Sequence, residues 1–214
     1  MTKLALVTGG ARGIGAVVVA QLRAAGWDVL APTRAECDWA EYESVWAWYL
    51  AQRAGSAYDS VIFNHGEWHS NIGAMPVDYE RQYRMRVILP MMVLNGMLQG
   101  GAVRSVVMVA STQAFVGSAQ TLPYACACAA QVRAMWGCAQ SWPAVRFNTV
   151  APGLTDTDLA QQVIATGDTK PGTVGQPPEA VAAVIVGLAT DGASNGRVVR
   201  VVDSVAADAK WVWA

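Results

Sequence analysis

Thr8-Gly9-Gly10-Ala11-Arg12-Gly13-Ile14-Gly15 is the stretch from which the rest of the chain is read. It follows a short apolar run, Leu4–Thr8, with the composition of a β-strand, and opens an Ala- and Val-rich helical run, Gly15–Ala25, closed by Gly26. A glycine turn between a strand and a helix gathers backbone N–H groups at the positive end of the helix dipole, where a phosphate binds. Gly9 allows the tight turn, Gly13 lets the backbone approach the phosphates, and Gly15 permits close helix packing, with Ile14 between the last two. The turn is therefore expected to hold the pyrophosphate of a dinucleotide.

Working outward, strands and helices alternate. Val29–Pro32 is expected as a strand and Tyr42–Ala54 as a helix closed by Gly55. Ser60–Phe63 and Ser105–Ala110 are continuous apolar runs, as in parallel strands buried on both faces. Val77–Gln99 reads as one long helix and Tyr124–Ser141 as another. Arg146–Val150 is a strand, Pro178–Thr190 a helix opened by Pro-Glu, and Val198–Val202 the strand that closes the sheet. This order predicts an α/β fold: a single Rossmann-type, doubly wound parallel sheet with helices on both faces, over one domain spanning 1–214. Residues 155–176, rich in Gly, Thr and Asp, form the one long irregular segment expected, a lid or substrate loop.

With 214 residues, 53% of them hydrophobic and 14% charged, the chain can bury a sizeable core. A net charge of −1 argues against nucleic acid or an anionic membrane surface as partner. No apolar run reaches the roughly 20 residues of a membrane span, and the N-terminal run is too short for a signal peptide, so a cytoplasmic protein is expected. Cys37, Cys126, Cys128 and Cys138 are read as reduced thiols, since the Cys126-Ala-Cys128 spacing is not that of a zinc site. His65-Gly-Glu67-Trp-His69 lacks the spacing of the zinc-protease helix and is read as a loop, with no metal expected.

Successive landmarks resemble those of the short-chain dehydrogenase/reductases. Thr8–Gly15 is similar to the family's Thr-Gly-x-x-x-Gly-x-Gly turn. Asp59–Gly66 resembles its strand ending in Asn-Asn-Ala-Gly, departing at Phe63 and His65. Ser111 and Tyr124 have the separation of its catalytic Ser and Tyr. Asn148–Thr157 resembles its Asn-x-x-x-Pro-Gly-x-x-x-Thr segment, and Pro178–Ala182 and Gly196–Asp203 its last helix and strand. The resemblance implies cofactor contacts from Asn64, Gly66, Tyr124, Pro152, Gly153, Thr155 and Thr157. It also implies a homodimer or homotetramer built through the two long helices, to which Trp136 and Trp142 would contribute packing or interface.

Where the family's NAD enzymes carry an acidic residue for the adenosine ribose, the resemblance places Thr33, followed by Arg34. With Arg12 inside the turn, two guanidinium groups and no carboxylate favour a 2′-phosphate, hence NADP(H) over NAD(H). Asp38 falls where family members place an Asp on the adenine amino group.

The family's Tyr exchanges a proton with a carbonyl or alcohol, its Ser holds the substrate oxygen, and a Lys one helical turn later depresses the Tyr pKa. An unperturbed phenol titrates near pH ~10, so it needs a neighbouring cation for this work. Here Ser111 and Tyr124 are kept, Cys128 stands in the Lys position, and Arg86 stands where the family has Asn, with Arg84 one turn-face away. Three readings follow. Arg86 supplies the missing cation and redox chemistry survives on a carbonyl or alcohol; the cofactor is kept but the reaction is non-redox (dehydration, cyclisation, epimerisation or elimination); or the protein binds dinucleotide without turnover. Arg86 beside Cys128 also raises a nucleophilic thiol, against which stands a small side chain merely filling the Lys site. Phe115, Leu122, Trp68 and Met75 suggest a small apolar substrate, though each is equally fit for a core.

Overall fold

The computed structural model describes residues 2–52, 57–68, 76–116, 119–167, 169 and 172–209. Gly55, His69 and Met75 lie outside the described residues, as do positions 168, 170 and 171 of the expected lid.

Seven strands form one sheet in the order β2-β1-β3-β4-β5-β6-β7. They are β1 (Leu4–Thr8), β2 (Asp28–Leu30), β3 (Ser60–Phe63), β4 (Ser105–Val109), β5 (Arg146–Pro152), β6 (Val198–Val202) and β7 (Val205–Asp208). All pairs are parallel except β6 with β7. The helices are α1 (Gly13–Ala24), α2 (Tyr42–Gln52), α3 (Pro76–Tyr83), α4 (Leu89–Gln99), α5 (Leu122–Ser141), α6 (Asp158–Ala165) and α7 (Pro178–Thr190).

The apolar runs read as strands because each is buried on both faces, with successive residues feeding opposite cores. Leu6, Val61, Phe63, Val106, Met108 and Phe147 point into the core that includes residues of α2, α4 and α5. Ala5, Val7, Ile62, Val107, Val109 and Val150 point into the core beneath α1 and α7. From β1 the chain winds first to β2 and then to β3 on the other side, so the sheet reverses between β1 and β3. A crevice at the carboxyl ends of the strands opens at such a point.

Three expectations are corrected. The long helix is interrupted: Arg84–Ile88 is a π-helical turn between α3 and α4. Pro90 explains the break, since it has no N–H and its ring crowds the carbonyl four residues back. The 155–176 segment contains α6, opened by Thr157, whose hydroxyl accepts from the Ala160 N–H at 3.4 Å. Its ends are tied, Thr155 bridging Gln176 and the Gln176 side chain donating to the Val201 carbonyl at 2.8 Å. Finally, β6 does not close the sheet: β7 returns antiparallel at its edge, through Asp203 and Ser204 at φ 49° and 63°. Smaller differences lie at element ends, with β2 beginning at Asp28, β5 running to Pro152 and α5 beginning at Leu122.

Candidate active site

The glycine turn is built as its spacing requires. Gly9 and Gly13 have φ of 65° and 54°, a region that side chains avoid. A Cβ on Gly15 would lie 2.2 Å from the Gly9 carbonyl oxygen and 2.5 Å from the Asn64 amide nitrogen. Arg12 occupies the N-cap of α1 without making a side-chain cap bond. Gly13 and Ile14 of that first turn line the groove described below, and an uncapped helix N-terminus there fits a phosphate. Asn64 ties the turn to the end of β3, its amide donating to the carbonyls of Thr8 and Gly9 at 3.3 and 3.1 Å.

His65 lies beneath the same turn. Its Nδ1 is 2.6 Å from the Thr8 hydroxyl and its Nε2 is 2.9 Å from the Met85 carbonyl. The ring stacks on Trp39 with centroids 4.3 Å apart. Burial pushes its pKa down to about 3, and the Arg86 charge adds to the fall against the pull of the Met85 carbonyl. His65 is thus neutral, and its two contacts set the tautomer: a carbonyl accepts only, so Nε2 carries the proton and Nδ1 accepts from Thr8.

These residues line a groove of about 550 Å³ running from Arg34, Asp38 and Trp39 past the glycine turn to Trp68 and Leu159. A second cavity of about 230 Å³ adjoins it, sharing Ile14, Asn64, Gly66, Trp68, Thr157 and Leu159 and reaching Ser111, Tyr124, Arg86 and Pro152–Thr155. Among the described residues no cluster of three His, Cys, Asp or Glu could hold a metal.

At the Arg34 end of the groove the expectation of an uncompensated basic site is corrected. The Glu36 carboxylate accepts from both the N–H and the hydroxyl of Thr33, each at 2.8 Å. Arg34 pairs with Asp38 at 3.0 Å and Arg12 with Asp158 at 3.1 Å. The sequence placed no carboxylate at position 33, and the chain folds one back from position 36. Both arginine side chains are 72% exposed, and exposed pairs contribute at most about 1 kcal/mol, so a phosphate dianion can recruit them. Asp38 titrates low: burial works against it, but the Ala40 N–H and Arg34 outweigh burial.

At the other end the structure brings together the four positions singled out for chemistry. The Arg86 guanidinium lies over the Tyr124 ring, 4.3 Å from its centroid, donating through Nε to Gln82 at 3.0 Å and through Nη2 to the Glu67 carbonyl at 2.9 Å. Arg86 is 3% exposed, and no described carboxylate pairs with it. A Cβ on Gly66 would lie 2.5 Å from Nη2, so Gly66 is needed to leave room for this cation. Ser111 accepts from the Gln113 N–H at 3.2 Å, and its hydroxyl hydrogen-bonds Tyr124. Burial pushes the Tyr124 phenol above its ordinary value, Cys128 adds to the rise, and Arg86 and Ser111 oppose it without prevailing. The guanidinium sits over the ring face rather than at the hydroxyl, where a Lys ammonium would act.

Cys128 is fully buried against Tyr124, and burial raises its thiol despite Arg86. A thiol held protonated and out of solvent is a poor nucleophile. Iodoacetamide at neutral pH is expected to modify the half-buried Cys126 and leave Cys128 untouched, read by peptide mass mapping. Fast labelling of Cys128 would restore the nucleophile.

Of the substrate-side residues, Trp68 lines both cavities, whereas Leu122 is 43% exposed and lies outside them. Phe115 packs with Arg200, whose guanidinium is 5.8 Å from its ring. Trp136 and Trp142 are exposed. Nothing in the sequence marks Glu36 or Gln82, and Glu67 is read there only as part of a loop; their placement shows what they hold. His65 was visible as a departure from the family's Asn-Asn-Ala-Gly, without a stated partner.

The sheet order, the crevice at its reversal and the glycine turn beside it define a Rossmann-type α/β protein. Over residues 84–168 the chain matches the family model described as short chain dehydrogenase. No curated protein matches it. It is similar to the solved structure of a short chain dehydrogenase family protein from Francisella tularensis subsp. tularensis SCHU S4, with TM-score 0.79, 18% identity, and 95% of this chain and 98% of that one covered. It is similar to ElxO with NADP bound, with TM-score 0.77, 20% identity, and 94% and 97% covered. It is also similar to a small-chain dehydrogenase in complex with NADPH, with TM-score 0.78, 19% identity, and 95% and 98% covered. No helix among the described residues is long and apolar enough to cross a membrane.

Proposed function

We propose that the chain is a single-domain, NADP(H)-dependent oxidoreductase that reduces a carbonyl of a small substrate, with Tyr124 as proton donor. The observation that carries this reading is a buried phenol, held protonated, where the glycine-turn groove meets the adjoining cavity. When bound, a reduced nicotinamide supplies hydride to a carbonyl carbon. Ser111 donates a hydrogen bond to the carbonyl oxygen, and Tyr124 gives that oxygen its proton as negative charge develops there. Arg86, over the ring face, stabilises the phenolate left behind. A raised phenol pKa favours this direction over alcohol oxidation, which must begin from phenolate. Ile14, Trp68, Leu154, Leu159 and Val163 give the cavity apolar walls and support an apolar substrate.

Trp136 and Trp142, on and beside α5, support a homodimer or homotetramer. Cys128, standing at the position where the family has its Lys, favours as second reading dinucleotide binding without redox turnover.

For the cofactor, bound NADP(H) in two of the similar structures and the recruitable Arg12 and Arg34 support the phosphorylated form, while Glu36 opposes it. The test is a fluorescence titration of the nine tryptophans, followed by NADPH consumption with ketones, aldehydes and quinones. Tighter binding of NADPH than NADH is expected. Arg34→Ala should weaken NADPH about 10-fold and leave NADH unchanged, and Glu36→Gln should tighten NADPH. Binding without consumption would favour the second reading, and binding of neither would end both.

A further inference from the structure

We propose that His65 is a positioning residue: in its Nε2–H tautomer it gives the Met85 carbonyl the hydrogen bond that Pro90 cannot, and so holds the π turn that sets Arg86 over Tyr124.

The bonding around Met85 leaves a vacancy that only a side chain fills. In an α-helix its carbonyl would accept from the N–H of residue 89. Here the Leu89 N–H is given to Arg84, five residues back. In that wider register the donor for Met85 is residue 90, which is Pro and has none. Met85 is buried, 5% exposed, so water is a poor substitute, and a buried carbonyl without a donor is costly. His65 Nε2, 2.9 Å away, supplies the donor.

The imidazole is fixed at its other end. Nδ1 accepts from Thr8, and Thr8 Oγ in turn accepts from the backbone N–H groups of Asn64 and His65 at 3.0 and 3.3 Å. Trp39 covers one face of the ring. The position of Gly9 leaves no slack, since a Cβ there would lie 2.8 Å from the His65 Cα. One rigid side chain therefore joins the last residue of β1, immediately before the glycine turn, to the residue immediately before Arg86. The π turn rotates the helix by less per residue than an α turn, so reverting to the α register would swing Arg86 away from the Tyr124 ring. The family's Asn-Asn-Ala-Gly has Ala at this position and could not make the bond. His65 is thus matched to this chain's Pro90 and Arg86. The consequence for catalysis rests on Tyr124 as proton donor; the bond itself does not.

The test uses the apo protein, so loss of turnover does not obscure it. Nitrogen NMR of labelled histidine, with His69→Gln to assign the two rings, is expected to show His65 as the Nε2–H tautomer, unchanged between pH ~5 and ~8. An Nδ1–H tautomer, or an ordinary titration in that range, would overturn the proposal. A double-mutant cycle of His65→Ala and Pro90→Ala then reads the ionisation of Tyr124 by ultraviolet difference against Tyr124→Phe in each background. His65→Ala is expected to raise the Tyr124 pKa further, as Arg86 leaves the ring. Pro90→Ala, which restores an N–H at position 90, should remove at least half of that rise. Strict additivity of the two substitutions would overturn the proposal. If His65→Ala alone does not fold, a folded double variant with the parent's Tyr124 ionisation supports it, and an equally unfolded double variant overturns it.

Discussion

Tyr124→Phe is expected to lower carbonyl reduction by about 10²–10⁴-fold while leaving NADPH affinity within about twofold. The substitution removes the proton donor and nothing else of size: the ring still fills its place under Arg86, and the groove that holds the phosphates is untouched. The pH dependence gives the same assignment a sign. Burial raises the phenol pKa, so the donor is protonated throughout the neutral range and is lost only as pH rises through that raised value. The reduction rate should therefore be flat across neutral pH and fall only in the alkaline range beyond an ordinary tyrosine, whereas alcohol oxidation should climb towards it. A reduction rate that falls between pH ~6 and ~8 would assign the proton to another group. Full activity in Tyr124→Phe would remove Tyr124 from the chemistry altogether.

Gly15→Ala is the second large effect, and it acts on the other end of the site. Its Cβ would overlap the Gly9 carbonyl at 2.2 Å, an approach that requires the backbone of the glycine turn to move. That turn must keep its N–H groups aimed at the phosphates, so dinucleotide affinity is expected to fall by more than ~100-fold, with a stability loss of about 1–3 kcal/mol from overpacking. Gly187→Ala is the matched control: it lies inside α7 with nothing within 4 Å of the added Cβ. There the same chemical change should leave binding unchanged and stabilise the protein by about 0.5–1 kcal/mol through helix propensity. Calorimetric titration with NADPH and thermal unfolding of the two variants measure both quantities. Unchanged binding in Gly15→Ala would show that the turn does not carry the cofactor.

The parts of the fold legible in the sequence are those set by local or periodic constraints. Ser60–Phe63 and Ser105–Val109 are strands because a run buried on both faces must be apolar at every position, and no tertiary knowledge is needed to see it. The helix over Pro178–Thr190 announces itself through Pro-Glu and an apolar interior. The break at Arg84–Ile88 was within reach, since Pro90 stands in the middle of the helical run, but Pro in a helix allows a kink, a stop or a π turn. Which one forms depends on whether something satisfies the freed carbonyl, and the donor comes from His65, 20 residues away. The helix inside 155–176 was masked by its Gly- and Thr-rich surroundings, although Thr157-Asp158 is an ordinary N-terminal capping sequence. β7 is not legible in the sequence because a short edge strand, Val-Ala-Ala-Asp, has too little alternation to register.

The candidate site divides in the same way. The spacing of the turn marks Gly9, Gly13 and Gly15, whereas Ser111, Tyr124, Cys128 and Arg86 are marked only by the resemblance to the short-chain dehydrogenase/reductases. Charge balance did not follow from order. Arg12 and Arg34 look like free cations in the sequence, and folding sets Asp158 and Asp38 against them and brings Glu36 to Thr33. The glycine turn from which the reading began was determined by the sequence alone, since backbone conformation and close approach depend on having no side chain. What the chemistry beside it can do was decided by tertiary structure. Burial, distance and the direction of Arg86 set whether Tyr124 holds its proton, and those are properties of space rather than of spacing.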